Sequence, residues 1–93
     1  MEEKFIAAWL QARQKAEALG VRFRPMAADM ALQSAHRALS GHRESDGFGA
    51  LANKNRLDLS LEALAIDKRF TALFDDEEVN TALQRLLAEG YRF

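Results

Sequence analysis

Apolar residues recur at the period of an α-helix in three separate stretches of this 93-residue chain, and nowhere do they alternate for long. That pattern confines the fold to packed helices. Phe5, Trp9, Ala12, Ala16 and Leu19 form one stripe over residues 2–19, widened by Ile6 and Leu10. Glu2 and Glu3 fall in the first turn, where the helix dipole favours negative charge. Gly20 stands where a terminating glycine would. Ala28, Leu32, Ala35 and Leu39 form a second stripe over residues 25–40, with Met26 and Met30 beside it and Asp29, Gln33 and Arg37 outward. Pro25, the only proline, suits the first turn of that helix, and Gly41 ends it. The third stripe, Val79, Ala82, Leu83, Leu86 and Leu87, has the clearest start signal. Asp75 with Glu78 three residues on makes a capping box, and Phe74 with Val79 makes a hydrophobic staple. Gly90 closes the helix.

The stretches between are shorter. Ser45 is placed to cap a helix over residues 46–54 held down by Phe48, Leu51 and Ala52. Ser60 is placed to cap another over residues 61–66, carrying Leu61, Leu64 and Ala65. Residues 68–74 read as a further helical turn or two with Phe70, Leu73 and Phe74 inward. Val21-Arg22-Phe23-Arg24 alternates apolar and basic, which reads as extended. Leu19-Gly20-Val21-Arg22-Phe23 is echoed by Glu89-Gly90-Tyr91-Arg92-Phe93, and two similar helix ends explain the echo. The expected fold is all-α. Residues 1–93 form one compact domain of four to five short helices, and a minimal two-stranded contact between residues 21–24 and 91–93 is left open.

Composition narrows the function. Hydrophobic residues are 48% and charged residues 29% of the chain, which is globular rather than disordered. Thirteen basic against 14 acidic residues give a net charge of −1, which argues against a dedicated polyanion binder. Without cysteine there is no disulfide, thiolate metal site or cysteine nucleophile. No apolar run approaches the roughly 18 residues of a membrane span. The start, Met1-Glu2-Glu3-Lys4-Phe5, is acidic before it is apolar, unlike a signal peptide, so a cytoplasmic location is expected.

Motifs for catalysis are missing. His36 and His42, with Glu44 and Asp46, match no metal-ligand spacing, and His36 beside Leu32 and Leu39 reads as half-buried with a backbone or carboxylate partner. The acidic run 75–78 is explained by capping. Asn53, Asn55 and Asp58 miss the calcium-loop register, with Leu64 where the closing glutamate belongs. Gly47-Phe48-Gly49 lacks the rest of a phosphate-binding loop, and no serine lies in a Gly-x-Ser-x-Gly elbow. No catalytic residue, cofactor or metal site is expected. The reading is a non-catalytic protein-interaction module that binds a partner protein or its own copy. The apolar arc of Phe5, Ile6 and Trp9 favours self-association. The alternative is a nucleic-acid-associated regulator with a basic ridge of Arg37, Arg43, Lys54, Arg56, Lys68 and Arg69. Residues 48–65 loosely follow a helix-turn-helix, but Arg56 replaces the turn glycine and Glu62 takes an inward position. The working surface is placed on residues 36–56, where three glycines and alternating charge mark an irregular segment. His42, Arg43, Asp46, Lys54 and Arg56 are the candidate contacts, with Phe48 as the apolar anchor.

Leu61-Glu62, Leu64, Asp67, Phe70, Leu73 and Glu77-Glu78-Val79 are locally similar to the C-terminal tail of adenylosuccinate-lyase-type enzymes, over about a third of the chain. The resemblance implies a helical tail-like fold. It implies no lyase activity, since nothing here matches the catalytic signatures of those enzymes.

Overall fold

The computed structural model describes residues 2–23, 26–41 and 44–91. Among them are five α-helices and no strand: α1 (Glu2–Ala18), α2 (Ala31–Ser40), α3 (Phe48–Asn53), α4 (Leu61–Ala65) and α5 (Asp76–Ala88). Short 3-10 turns at Ala28–Met30, Leu57–Leu59 and Thr71–Leu73 join them. α5 packs on α4 and α2, and α1 packs on α2 and α4. The radius of gyration, 11.9 Å, matches the roughly 12 Å of a folded chain of this length. The all-α expectation holds. No described helix is long and apolar enough to cross a membrane.

The local signals operate as their chemistry requires. Asp75 Oδ1 accepts from the Glu78 amide at 2.7 Å, and Glu78 Oε1 accepts from the Asp75 amide at 3.0 Å, which completes the capping box of α5. Ser60 Oγ accepts from the Ala63 amide at 3.1 Å and starts α4. The echoed ends are twin Schellman caps. Val21 N–H bonds the Ala16 carbonyl and Gly20 N–H the Glu17 carbonyl, while Tyr91 N–H bonds Leu86 and Gly90 N–H bonds Leu87. Gly20 and Gly90 take the positive φ values, +93° and +78°, that this cap requires. Asn55 (φ 57°) builds the same cap on α3, with Arg56 N–H on the Leu51 carbonyl and Asn55 N–H on Ala52. Two of the amides that a two-stranded contact would use, those of Val21 and Tyr91, are therefore spent on helix ends, and Arg22 and Phe23 form no strand. Residues 24, 92 and 93 of that contact lie outside the described residues, as does Pro25.

Three expectations shift in register. Residues 28–30 wind as a 3-10 turn, so the buried stripe of α2 is Ala31, Ala35 and Leu39 rather than one beginning at Ala28. α1 stops at Ala18, which leaves Leu19 37% exposed and gives its core position to Val21 at 3%. Ser45 does not cap α3; Gly47, at φ +80°, stands at that position.

The core has two clusters. Phe5, Trp9, Ala31, Ala35, Leu39, Leu64, Ala65, Phe70, Phe74 and Ala82 form one, where the Phe5 ring meets Phe70 and Phe74 at centroid distances of 5.4 and 5.7 Å. Ala12, Ala16, Val21, Phe48, Leu51, Leu57, Leu59 and Leu86 form the other. Ile66 packs against both.

Candidate functional site

The strongest polar feature is internal. Glu62 lies in the first turn of α4, fixed in register by the Ser60 cap, and is fully buried. Its Oε2 accepts from the Ser45 amide at 2.9 Å and its Oε1 from the Ser45 hydroxyl at 2.5 Å. Arg85 of α5 reaches the same carboxylate, Nη1 to Oε2 at 3.3 Å. The guanidinium also donates to the Ala38 and Gly41 carbonyls, both at 3.0 Å. One cation thus offsets a buried carboxylate and satisfies carbonyls at the C-terminal end of α2, where the helix dipole favours positive charge. Gly41 and Ser45 are thereby fastened to the body of the protein.

A second buried carboxylate is also committed. Glu78 completes the capping box with one oxygen and accepts from His36 Nδ1 with the other, at 2.6 Å. The His36 ring lies 5.1 Å from that of Phe74. The half-buried histidine with a carboxylate partner is as expected. Among the described residues no buried side-chain polar atom lacks a hydrogen-bond partner, and no group of three His, Asp or Glu is placed to share a metal ion.

Four of the candidate contacts, Asp46, Phe48, Lys54 and Arg56, fall among the described residues. His42 and Arg43 lie outside the described residues. Asp46 is exposed ahead of α3, while Lys54 and Arg56 follow that helix, whose length is about 9 Å. Arg56 is paired to Asp58 by bonds of 3.1 and 3.3 Å, and this carboxylate holds its guanidinium above the ordinary arginine range. Phe48 is no surface anchor: it is 3% exposed in the second core cluster. Its burial follows from Gly47, whose positive φ turns α3 inward and lets Val21 and Phe23 press on the backbone. Phe23 is in turn held by Arg13, whose guanidinium lies 4.4 Å from its ring centroid and 4.6 Å from that of Trp9. The apolar arc on α1 is consumed as well, with Phe5 fully buried and Trp9 at 6%.

What stays outside is different. Met26 and Met30 are 37% and 42% exposed, although residue type and spacing put them beside the core stripe. Because residues 28–30 form a 3-10 turn, Met30, Gln33 and Arg37 line up on the solvent face of the turn and α2. With Ala27 and Ser34 they enclose a cavity of about 300 Å³. Arg37 makes no hydrogen bond or ion pair with any described residue. The outward position of Gln33 and Arg37 is legible from periodicity, whereas the turn that brings the methionines beside them is not.

Comparison with protein-family models, with curated proteins and with solved structures finds no match for the chain. The rhythm shared with lyase tails therefore carries no family assignment, and function rests on the chemistry of the surface.

Proposed function

We propose that this protein is a non-catalytic protein-interaction module. The observation that carries the reading is the cavity of Met26, Met30 and Arg37, which keeps two large apolar side chains and an uncommitted cation in solvent. Such groups favour contact with another protein. The buried carboxylates, Glu62 and Glu78, are engaged in holding helices and the segment after α2 together. The proposed partner is a second protein rather than a second copy, since the α1 arc that favours self-association lies in the core. The nucleic-acid alternative is weaker, because two cations of the basic ridge are neutralised locally: Arg56 by Asp58 and Arg69 by Asp67.

The test pairs two measurements on the whole chain. A partner captured from the native host and then purified should bind saturably in calorimetry, with a clear loss for Met26→Ser/Met30→Ser. Mixed-sequence DNA should give no mobility shift at physiological salt. A DNA complex whose affinity falls steeply with salt would move the assignment to the nucleic-acid reading.

A further inference from the structure

Resting on the reading as an interaction module, we propose that the Met26–Met30–Arg37 cavity takes an acidic peptide segment. One large apolar side chain of that segment enters between the methionines, and a carboxylate within about four residues of it pairs with Arg37. The size fits. About 300 Å³ is the lower end of ligand cavities and accommodates one aliphatic or aromatic side chain, not an extended cofactor. Methionine side chains adapt to the shape of what they receive, so the apolar residue need not be unique.

Charge selects the rest of the ligand. Among the described residues, Arg37 is the only charged group in the lining; Gln33 and Ser34 are neutral, and Asp29, next to Met30, is not part of it. A guanidinium fork presents paired donors that match a carboxylate. With no described partner to displace, Arg37 gives up only water on binding. A nucleic-acid strand would need several cations in a row and has no use for two methionines, so a single acid beside an apolar anchor is the better complement. The platform is also preorganised. α2 is seated in the core by Ala31, Ala35 and Leu39, and its C-terminal end is held by Arg85, so little order has to be created on binding.

The experiment uses the full chain as bait for a display library of random 12-residue peptides. Enriched peptides are then synthesised and titrated against wild type, Arg37→Glu and Met30→Ser, with amide shifts of isotope-labelled protein reporting the contact surface. The expected enrichment is an apolar residue with Asp or Glu nearby. Arg37→Glu should weaken these peptides about tenfold or more, and peptides with the acid changed to lysine should regain affinity for Arg37→Glu. Met30→Ser should weaken them as well. Both side chains are exposed, so melting curves should stay close to wild type and separate lost binding from lost folding. Peptides without acids, or acidic peptides that bind Arg37→Glu as tightly as wild type, would overturn this site while leaving the interaction module standing on partner capture. Failure to enrich any peptide would overturn the peptide proposal, and capture of a folded partner would then decide the broader reading separately.

Discussion

Replacing Glu62 by leucine removes the carboxylate that Arg85 meets among the described residues and orphans both donors of Ser45. Glu62 is fully buried and Arg85 nearly so, with 12% of its side chain exposed, so solvent cannot take over the lost contacts. Breaking such a buried pair costs about 3–5 kcal/mol, and at about 4–8 °C per kcal/mol for a domain of this size the melting temperature should fall by at least about 12 °C. Glu62→Gln is the control. Its amide oxygen can accept from the Ser45 amide and Arg85, and its NH₂ can donate to the Ser45 hydroxyl. Shape and bond count survive and only the charge is lost, for about 1–2 kcal/mol. Arg85→Leu and the double variant Glu62→Leu/Arg85→Leu complete the cycle. Because the double variant leaves no buried charge unpaired, it should be less destabilised than the sum of the singles by about 1–3 kcal/mol. Thermal melts by circular dichroism supply all four values. Strictly additive singles, or a Glu62→Leu melt within about 2 °C of wild type, would refute the clamp.

Two glycines that flank Phe48 should respond in opposite directions. Gly47→Ala places a Cβ 2.5 Å from Phe23 Cε1 at a backbone φ of +80° and should cost about 2–4 kcal/mol, whereas Gly49→Ala, with open space around it inside α3, should gain about 0.5–1 kcal/mol; equal melts would show that Gly47 is not required. Burial, aided by the Asp58 carboxylate, holds the phenol of Tyr91 above its ordinary value, so absorbance titration of this single tyrosine should give a midpoint above about 10, returning to about 10 in denaturant. The folded state then binds this proton more tightly than the unfolded one. Its contribution to stability is intact below about pH 10 and is lost as pH rises through the folded-state midpoint. Coincident native and denatured titrations would refute the packing of Tyr91 on the second core cluster.

Features written within a few residues were legible. Asp75 with Glu78, Ser60, Gly20 and Gly90 each declare a helix end through bonds that span three to five positions, and all four act there. Burial of Glu62 was not readable: an inward glutamate counted as a misfit to a helix-turn-helix, yet the carboxylate is fully buried. Partners across the chain were not readable either. Ser45 is 17 residues from Glu62 and Arg85 is 23 from it, and nothing local says which cation meets an inward carboxylate. Ser45 carries the chemistry of a helix cap, but its hydroxyl goes to the stronger acceptor. Phe48 was misplaced because exposure of a loop aromatic depends on the turn before it, here the backbone at Gly47. The candidate surface moved for the same reason: the 3-10 turn at Ala28–Met30 rotates Met30 away from the stripe that its spacing suggests.

The division of the core into two clusters sets how the protein comes apart. α1 contributes Phe5 and Trp9 to one and Ala12 and Ala16 to the other, and α5 contributes Ala82 to the first and Leu86 to the second. Neither cluster can open without breaking a helix in its middle or exposing the other, and Ile66 is shared outright. Cooperativity therefore lies in the two longest helices rather than in a boundary between halves. Amides at the centres of α1 and α5 should therefore exchange with solvent only through global unfolding, as one unit, while the short α3 and the 3-10 turns should open at lower cost.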